Sequence, residues 1–314
     1  MHDVAMTVAG PIPAAELGFT LPHEHTRCVL WHIQNRWDYW ELTGEDELIL
    51  PELALYREAG GTCLVDVTLP EIGRDPARLR RLAEASGLYI VMGCGWYRQS
   101  YYPAEARIDR RSVESLVDEI VREFEDGADA TGVRPGIIGE IGTDKPWLTA
   151  QEERVFRAAA RASRATGMGV MTHAVMSDVG LAQLAVMEDA GVDPGRVVIG
   201  HADSHPDLGY YLALIERGAS IEYDFLGMRS QPQEKHGEPR LIRLLLDLLA
   251  RGHADRVFLS QDVCHNNQLT CYEGNGYAYL ATRFLPRLRE AGVGEAEIHQ
   301  MTVLNPRRLL ALAR

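Results

Sequence analysis

Lysine is almost missing from this chain. Lys145 and Lys235 are the only two in 314 residues, and arginine supplies the other thirty positive charges. Base is short overall as well: 32 basic residues against 45 acidic ones give a formal charge of −13, which argues against nucleic acid or anionic membrane as a partner. No apolar run approaches about 18 residues, so no transmembrane helix is expected. The opening residues Met1, His2, Asp3 and Val4 form neither a basic nor an apolar stretch, so a secretory leader is not expected. Cys28, Cys63, Cys94, Cys264 and Cys271 are odd in number and scattered without a CxxC pair. That pattern excludes a disulfide framework or zinc ribbon and predicts reduced thiols in the cytoplasm. Low-complexity linkers, charged tails and internal repeats are absent too. With 46% hydrophobic and 25% charged residues the chain is ordinary globular material, neither disordered nor fibrous.

What is there is an alternation. Short apolar or β-branched runs at 18–25, 62–68, 88–94, 136–142, 169–173, 196–201, 220–224 and 256–262 read as eight strands. Helical spacing fills gaps between them at 75–86, 112–126, 150–166, 178–190, 207–217 and 238–251. The clearest helix, 150–166, opens on Thr149 and Glu152 in capping-box spacing and stops at Gly167. Eight β–α units in one chain predict a (β/α)8 TIM barrel, a single domain over 1–314. A doubly wound open sheet is disfavoured, because no GxGxxG follows the first strand.

A barrel of this kind carries its chemistry at the C-terminal ends of its strands. Those ends hold His23 and His25, Asp66, Glu140, His173, His201, Asp224 and Asp262. Polar side chains closing apolar strands are costly to bury unless something pairs them. His23 and His25 stand two apart, so strand geometry points both to one face. Alone, an HxH pair fits a hydrogen-bonded core histidine beside a solvent-facing one. An isolated Asp or His after a strand is often a cap. Four histidines and two carboxylates at one rim are better explained by divalent cations. Glu140 lies in the apolar stretch 136–143, GIIGEIGT, so it is either a buried acid paired to an arginine or a carboxylate shared by two cations.

With VAGP at 8–11, GFTLPHEHT at 18–26, IGRDP at 72–76, VMGCGWY at 91–97, Thr172-His173, IGHAD at 199–203 and Asn305-Pro306, the chain resembles the phosphotriesterase family of the amidohydrolase superfamily nearly end to end, in particular its phosphotriesterase-homology branch. The resemblance implies a binuclear centre. His23, His25 and Asp262 would bind the more buried metal, and His173 and His201 the more exposed one. Glu140 would take the bridging place that a carboxylated lysine holds in the phosphotriesterases proper, consistent with neither lysine lying in that strand. Two divalent ions are expected, zinc first, with Mn, Co, Ni or Fe compatible with the same ligands. Where the phosphotriesterases proper carry a histidine after the aspartate of the seventh strand, Phe225 follows Asp224.

The expected activity is therefore a metal-dependent hydrolase in which a hydroxide shared by two cations attacks the carbonyl of a lactone, carboxylic ester or acyl amide. Asp262 would take its proton and pass it to the leaving group. Organophosphate ester hydrolysis is the alternative, and a non-catalytic ligand-binding barrel the second; a nucleotide deaminase fits the ligand pattern less well. Specificity is expected in the loops after the third, seventh and eighth strands. There Tyr97 would hydrogen-bond substrate, Arg229 would pair with an anionic group, and His265 would line the pocket. Asp203 reads as a supporting or capping residue. Trp31, Trp37, Tyr39 and Trp40, after the first strand, either wall the pocket or join two copies in a homodimer.

Overall fold

The computed structural model describes residues 3–30, 41–228 and 237–313. The expectations for Arg229 and for Trp31, Trp37, Tyr39 and Trp40 fall outside these residues.

The eight expected strands form one parallel sheet. In chain order the strands are β1 (Val4–Thr7), β2 (Gly10–Pro13), β3 (Thr20–Glu24), β4 (Cys28–Val29), β5 (Glu41–Leu42), β6 (Cys63–Asp66), β7 (Tyr89–Cys94), β8 (Ile137–Gly142), β9 (Gly169–His173), β10 (Val197–Gly200), β11 (Ser220–Tyr223) and β12 (Val257–Leu259). Neighbours run β3-β6-β7-β8-β9-β10-β11-β12. The last strand returns to the first: Asp262 N–H donates to the His23 carbonyl at 3.2 Å, and the Ser260 hydroxyl bonds both the His23 carbonyl and the Glu24 carboxylate. Eight parallel strands nearly closed on themselves, with helices between, are a (β/α)8 barrel.

The helices are α1 (Asp46–Glu58), α2 (Pro76–Ser86), α3 (Val113–Asp126), α4 (Ala150–Thr166), α5 (Gly180–Asp189), α6 (Leu208–Glu216), α7 (Glu238–Leu249), α8 (Leu285–Glu290), α9 (Glu295–His299) and α10 (Asn305–Leu310). The Thr149–Glu152 capping box forms at the start of α4 as its spacing predicts, with both reciprocal bonds made. The β1–β2 hairpin, α1 and α8 to α10 lie outside the segments that the sequence pattern marks. The hairpin holds Gly10 and two prolines, which blur the strand pattern. No described helix is long and apolar enough to cross a membrane.

Two apolar layers account for the strand compositions. Cys63, Val65, Val91, Ile137, Met171, Val198 and Phe258 fill the barrel, floored by Ala5, Leu17, Leu309 and Leu310. Leu21, Leu64, Ile90, Ile138, Val170, Ile199 and Ile221 face outward beneath the helices. Strands buried on both faces read as continuous apolar runs rather than alternating ones, so polar residues at their ends stand out.

Period two alone does not aim all of those polar residues inward. In β9 it does: His173 follows Met171, which fills the barrel, by two. His201 and Asp262 instead lie past the ends of β10 and β12, at left-handed φ of +56° and +47°, where alternation no longer holds. In β3 and β8 the inner face is reached through one extra residue. β3 pairs Leu21 with Leu64 but Glu24 with Asp66, and β8 pairs Ile138 with Val170 but Ile141 with Thr172. Such a bulge swings the next side chain across the sheet. It leaves Ile138 and Ile141 both facing outward and turns Glu140 in. Gly139 makes the β8 bulge possible: its φ is +129°, and a Cβ there would lie 2.1 Å from the Met171 carbonyl oxygen.

Candidate metal centre

His23, His25, Glu140, His173, His201 and Asp262 meet at the C-terminal mouth of the barrel, and all are buried. Glu140 is the hub. Its Oε2 lies 3.6 Å from His23 Nε2 and 3.7 Å from His25 Nε2. Its Oε1 faces the other way, 2.8 Å from His201 Nε2 and in contact with His173 Nδ1. One carboxylate thus addresses two histidine pairs, one oxygen to each. Asp262 Oδ1 joins the first pair, 3.3 Å from His25 Nε2 and 4.0 Å from His23 Nε2. Among the described residues three compact groups of ligand atoms result, each within 4.8 Å: His23–His25–Glu140, Glu140–His173–His201 and, behind them, His23–His201–Asp224.

Partners outside the cluster fix which ring nitrogen faces in. His25 Nδ1 meets the Thr68 hydroxyl at 2.8 Å. His201 Nδ1 meets Asp224 Oδ1 at 2.8 Å, and His23 Nδ1 sits between Glu222 and Asp224 at 3.2 and 3.3 Å. All three therefore present Nε2 inward. His173 is reversed, presenting Nδ1, and its carbonyl is held by Gln183 Nε2 at 2.8 Å. His201 adopts φ +56° and Asp262 φ +47°, left-handed conformations that are strained for these residues. The Asp224 carboxylate, accepting from His201 N–H at 2.8 Å, holds the first.

Electrostatics point to cations. Burial would lower the His23 and His201 pKa values, but Glu140 and Asp224 outweigh it and hold both above the usual range, His201 at about 10. Burial keeps His173 down at about 4 despite Glu140. Burial likewise opposes ionisation of Glu140, yet the histidines around it hold its carboxyl well below the usual value. His23 Nε2 is buried without a hydrogen-bond partner although it points at a carboxylate. An orphaned imidazole nitrogen beside shared acids, in an imidazole and carboxylate set, fits divalent cations of the zinc type.

Asp66 and Asp224, grouped with the ligands by their position at strand ends, serve other purposes. Asp66 takes the Thr26 N–H and hydroxyl at 2.8 and 2.7 Å and pins the turn after β3. Asp224 orients two histidines from behind. Sequence reasoning assigned no role to it or to Glu222, although Ser-Ile-Glu-Tyr-Asp at 220–224 places two carboxylates on one strand face. Replacing Asp224 with Asn is expected to weaken metal affinity about 10- to 100-fold, as for outer partners of ligating histidines. Competition against a chelator measures it, and unchanged affinity would remove Asp224 from this role. Asp203 Oδ2 accepts the Phe225 N–H at 2.8 Å, a supporting contact.

Above the cluster lies a cavity of about 240 Å³. Phe225 stacks on His201 with ring centroids 4.7 Å apart. The Tyr97 hydroxyl lies 3.4 Å from His173 Nδ1. Of the segment after β12, Cys264 rather than His265 is among the cavity-lining residues; the buried His265 places Nε2 3.5 Å from Cys264 Sγ. The segments after β4 and β9 also contribute, through Leu30 and Met176, beyond the three loops expected to shape specificity.

Comparison with known proteins agrees with this architecture. The phosphotriesterase family pattern matches residues 4–310. The phosphotriesterase homology protein of Escherichia coli is 35% identical over 290 residues, 92% of this chain and 96% of that one. An N-acetyltaurine hydrolase of Tetraodon nigroviridis is 30% identical, covering 97% of each chain. The crystal structure of a lactonase from Listeria monocytogenes matches with a TM-score of 0.90 at 25% identity, over 99% of this chain and 100% of that one.

Proposed function

This chain belongs to the phosphotriesterase family and is a hydrolase, and on that premise we propose that it cleaves a carboxylic acyl bond, in a lactone, ester or acyl amide, at a binuclear centre. The observation that carries the reading is Glu140, whose two oxygens face two separate histidine pairs. His23, His25 and Asp262 would hold one cation, His173 and His201 the other, and Glu140 both. Bound there, a pair of divalent cations supplies Lewis-acid polarisation of a carbonyl oxygen and a water of lowered pKa.

The protein's own residues do the rest. Asp262 lines the cavity beside the His23–His25 pair, only 6% exposed. As water adds to the carbonyl carbon, Asp262 Oδ1 accepts its proton and hands it to the departing oxygen or nitrogen. The Tyr97 hydroxyl is positioned to donate to a substrate oxygen beside His173. Phe225 and Leu30 line the cavity and help keep bulk water away. Phe225 cannot relay protons where the phosphotriesterases proper would use a histidine, which favours carbon over phosphorus as the electrophile. Relatives named for hydrolysis of N-acetyltaurine and of lactones point the same way.

A panel of paraoxon, γ- and δ-lactones, 4-nitrophenyl esters and N-acetyl amides, run on zinc-loaded protein, tests this. At least one carboxylic substrate should exceed paraoxon in kcat/KM by about a hundredfold, the scale on which a general acid–base contribution acts. Faster paraoxon turnover would replace the reading with organophosphate ester hydrolysis. No turnover on any member would favour a binding protein.

A further inference from the structure

Arg98 stands one ring beyond Tyr97 from the metal-facing histidines and takes no part in the chemistry above. Its guanidinium carbon stacks over the Tyr97 ring at 4.7 Å and the Tyr101 ring at 5.0 Å. Its Nε is buried without a hydrogen-bond partner. The nearest carboxylate among the described residues, Asp144, has Oδ1 3.6 Å from that Nε, too far to satisfy it. Asp144 is itself engaged, its two oxygens taking the Ser100 N–H at 2.8 Å and hydroxyl at 2.6 Å. The side chain is nonetheless 17% exposed and lines the same cavity as Glu140, His173 and Asp262.

The backbone is built to admit this arginine. Gly142 ends β8 between the Arg98 and His173 stems, and a Cβ there would lie 3.0 Å from Arg98 Cγ and 2.7 Å from His173 Cβ. Any larger residue would push the two apart. Among the described lining residues Arg98 is the only arginine or lysine, and most of the wall away from the cluster is apolar, including Leu30, Val175, Met176 and Met228. A permanently charged guanidinium held by two aromatic faces at the cavity wall, with Asp144 beyond hydrogen-bond range of its Nε, is a receptor for a carboxylate or sulfonate.

We propose that Arg98 binds an anionic group at the non-reacting end of the substrate, so that the natural substrate is an acyl compound bearing a carboxylate or sulfonate a few bonds from the scissile carbonyl. This rests on the acyl-bond reading above. It gives Arg98 the kind of role that sequence reasoning expected of Arg229, which lies outside the described residues. The competing possibility is that Arg98 merely braces Tyr97.

Two measurements separate these. The first compares N-acetyltaurine, N-acetyl-β-alanine and the neutral N-acetylpropylamine on wild type, Arg98→Met and Arg98→Lys. In R98M the ratio of anionic to neutral kcat/KM should fall about 10- to 100-fold, mainly through KM, with R98K between the two. The larger loss identifies sulfonate or carboxylate as the better fit. A bracing role would lower all three substrates together and leave the ratio unchanged, which would overturn the proposal. The second titrates 1-propanesulfonate and the neutral methyl propyl sulfone into zinc-loaded protein by calorimetry. The sulfonate should bind wild type at least tenfold tighter than R98M, with no such difference for the sulfone. Equal sulfonate affinity in the two proteins would also overturn the proposal. Arg98-dependent sulfonate binding without turnover of any acyl amide would uphold the anion site and remove the acyl-amide option instead.

Discussion

Replacing Glu140 with Ala is expected to lower kcat/KM by at least about a thousandfold and to take zinc content from near two per chain to near one. Outer partners of metal ligands are worth 10- to 100-fold, and Glu140 sits directly between the two histidine pairs, so its loss should exceed that range. The stoichiometry follows from counting ligands. Without Glu140, His23, His25 and Asp262 still offer three side chains on one side, with contacts of 3.3 and 4.0 Å already tying Asp262 to the pair. Three protein ligands suffice for a catalytic zinc. The other side keeps only His173 and His201, so that cation should be lost first. Mass spectrometry of metal content on dialysed protein, paired with kinetics on the best acyl substrate, decides the matter. Retention of two zinc ions with activity within tenfold of wild type would refute a bridging Glu140.

Asp262→Asn should cost about 10²- to 10⁴-fold in kcat, the range for removing a positioned proton carrier. Asn keeps the shape and one oxygen but cannot accept the proton. The Asp262 carboxyl is kept ready to accept one. Burial would raise its pKa, but His25, His23 and His201 outweigh burial and hold it below the usual range, so it is ionised at neutral pH. The backbone holds it as well, with its N–H on the His23 carbonyl and its own carbonyl taking Gln268 Nε2 at 2.9 Å. Leaving-group dependence separates proton transfer from simple ligation. A 4-nitrophenolate departs without a proton, whereas an amine must be protonated. D262N should therefore lose more on an acyl amide than on a 4-nitrophenyl ester, measured at saturating zinc. Equal losses on both would reduce Asp262 to a ligand.

The contrast between Glu140 and Asp262 also shows how far the chain could be read without coordinates. Eight apolar runs separated by helical spacing were legible because parallel strands buried on both faces leave few polar residues, and those few mark strand ends. Asp224 was visible at such an end but had no assigned role, since its function lies in the second nitrogen of His201 and His23, and that pairing joins β3, β10 and β11 across the barrel. Arg98 was invisible as a site residue for a similar reason. An arginine in a loop is usually solvated, and only the Tyr97 and Tyr101 faces and the gap at Gly142 keep this one at the cavity wall.

Local pattern by itself determined the barrel, the rim on which the ionisable groups gather, and the inward aim of His173, because strand alternation is a short-range property carried by every residue. Only the tertiary structure decided the placement of the other five. His201 and Asp262 sit at left-handed positions past the ends of β10 and β12. His23, His25 and Glu140 depend on one extra residue in β3 and one in β8, and a bulge is set by the register of the neighbouring strand, which no stretch of sequence encodes alone.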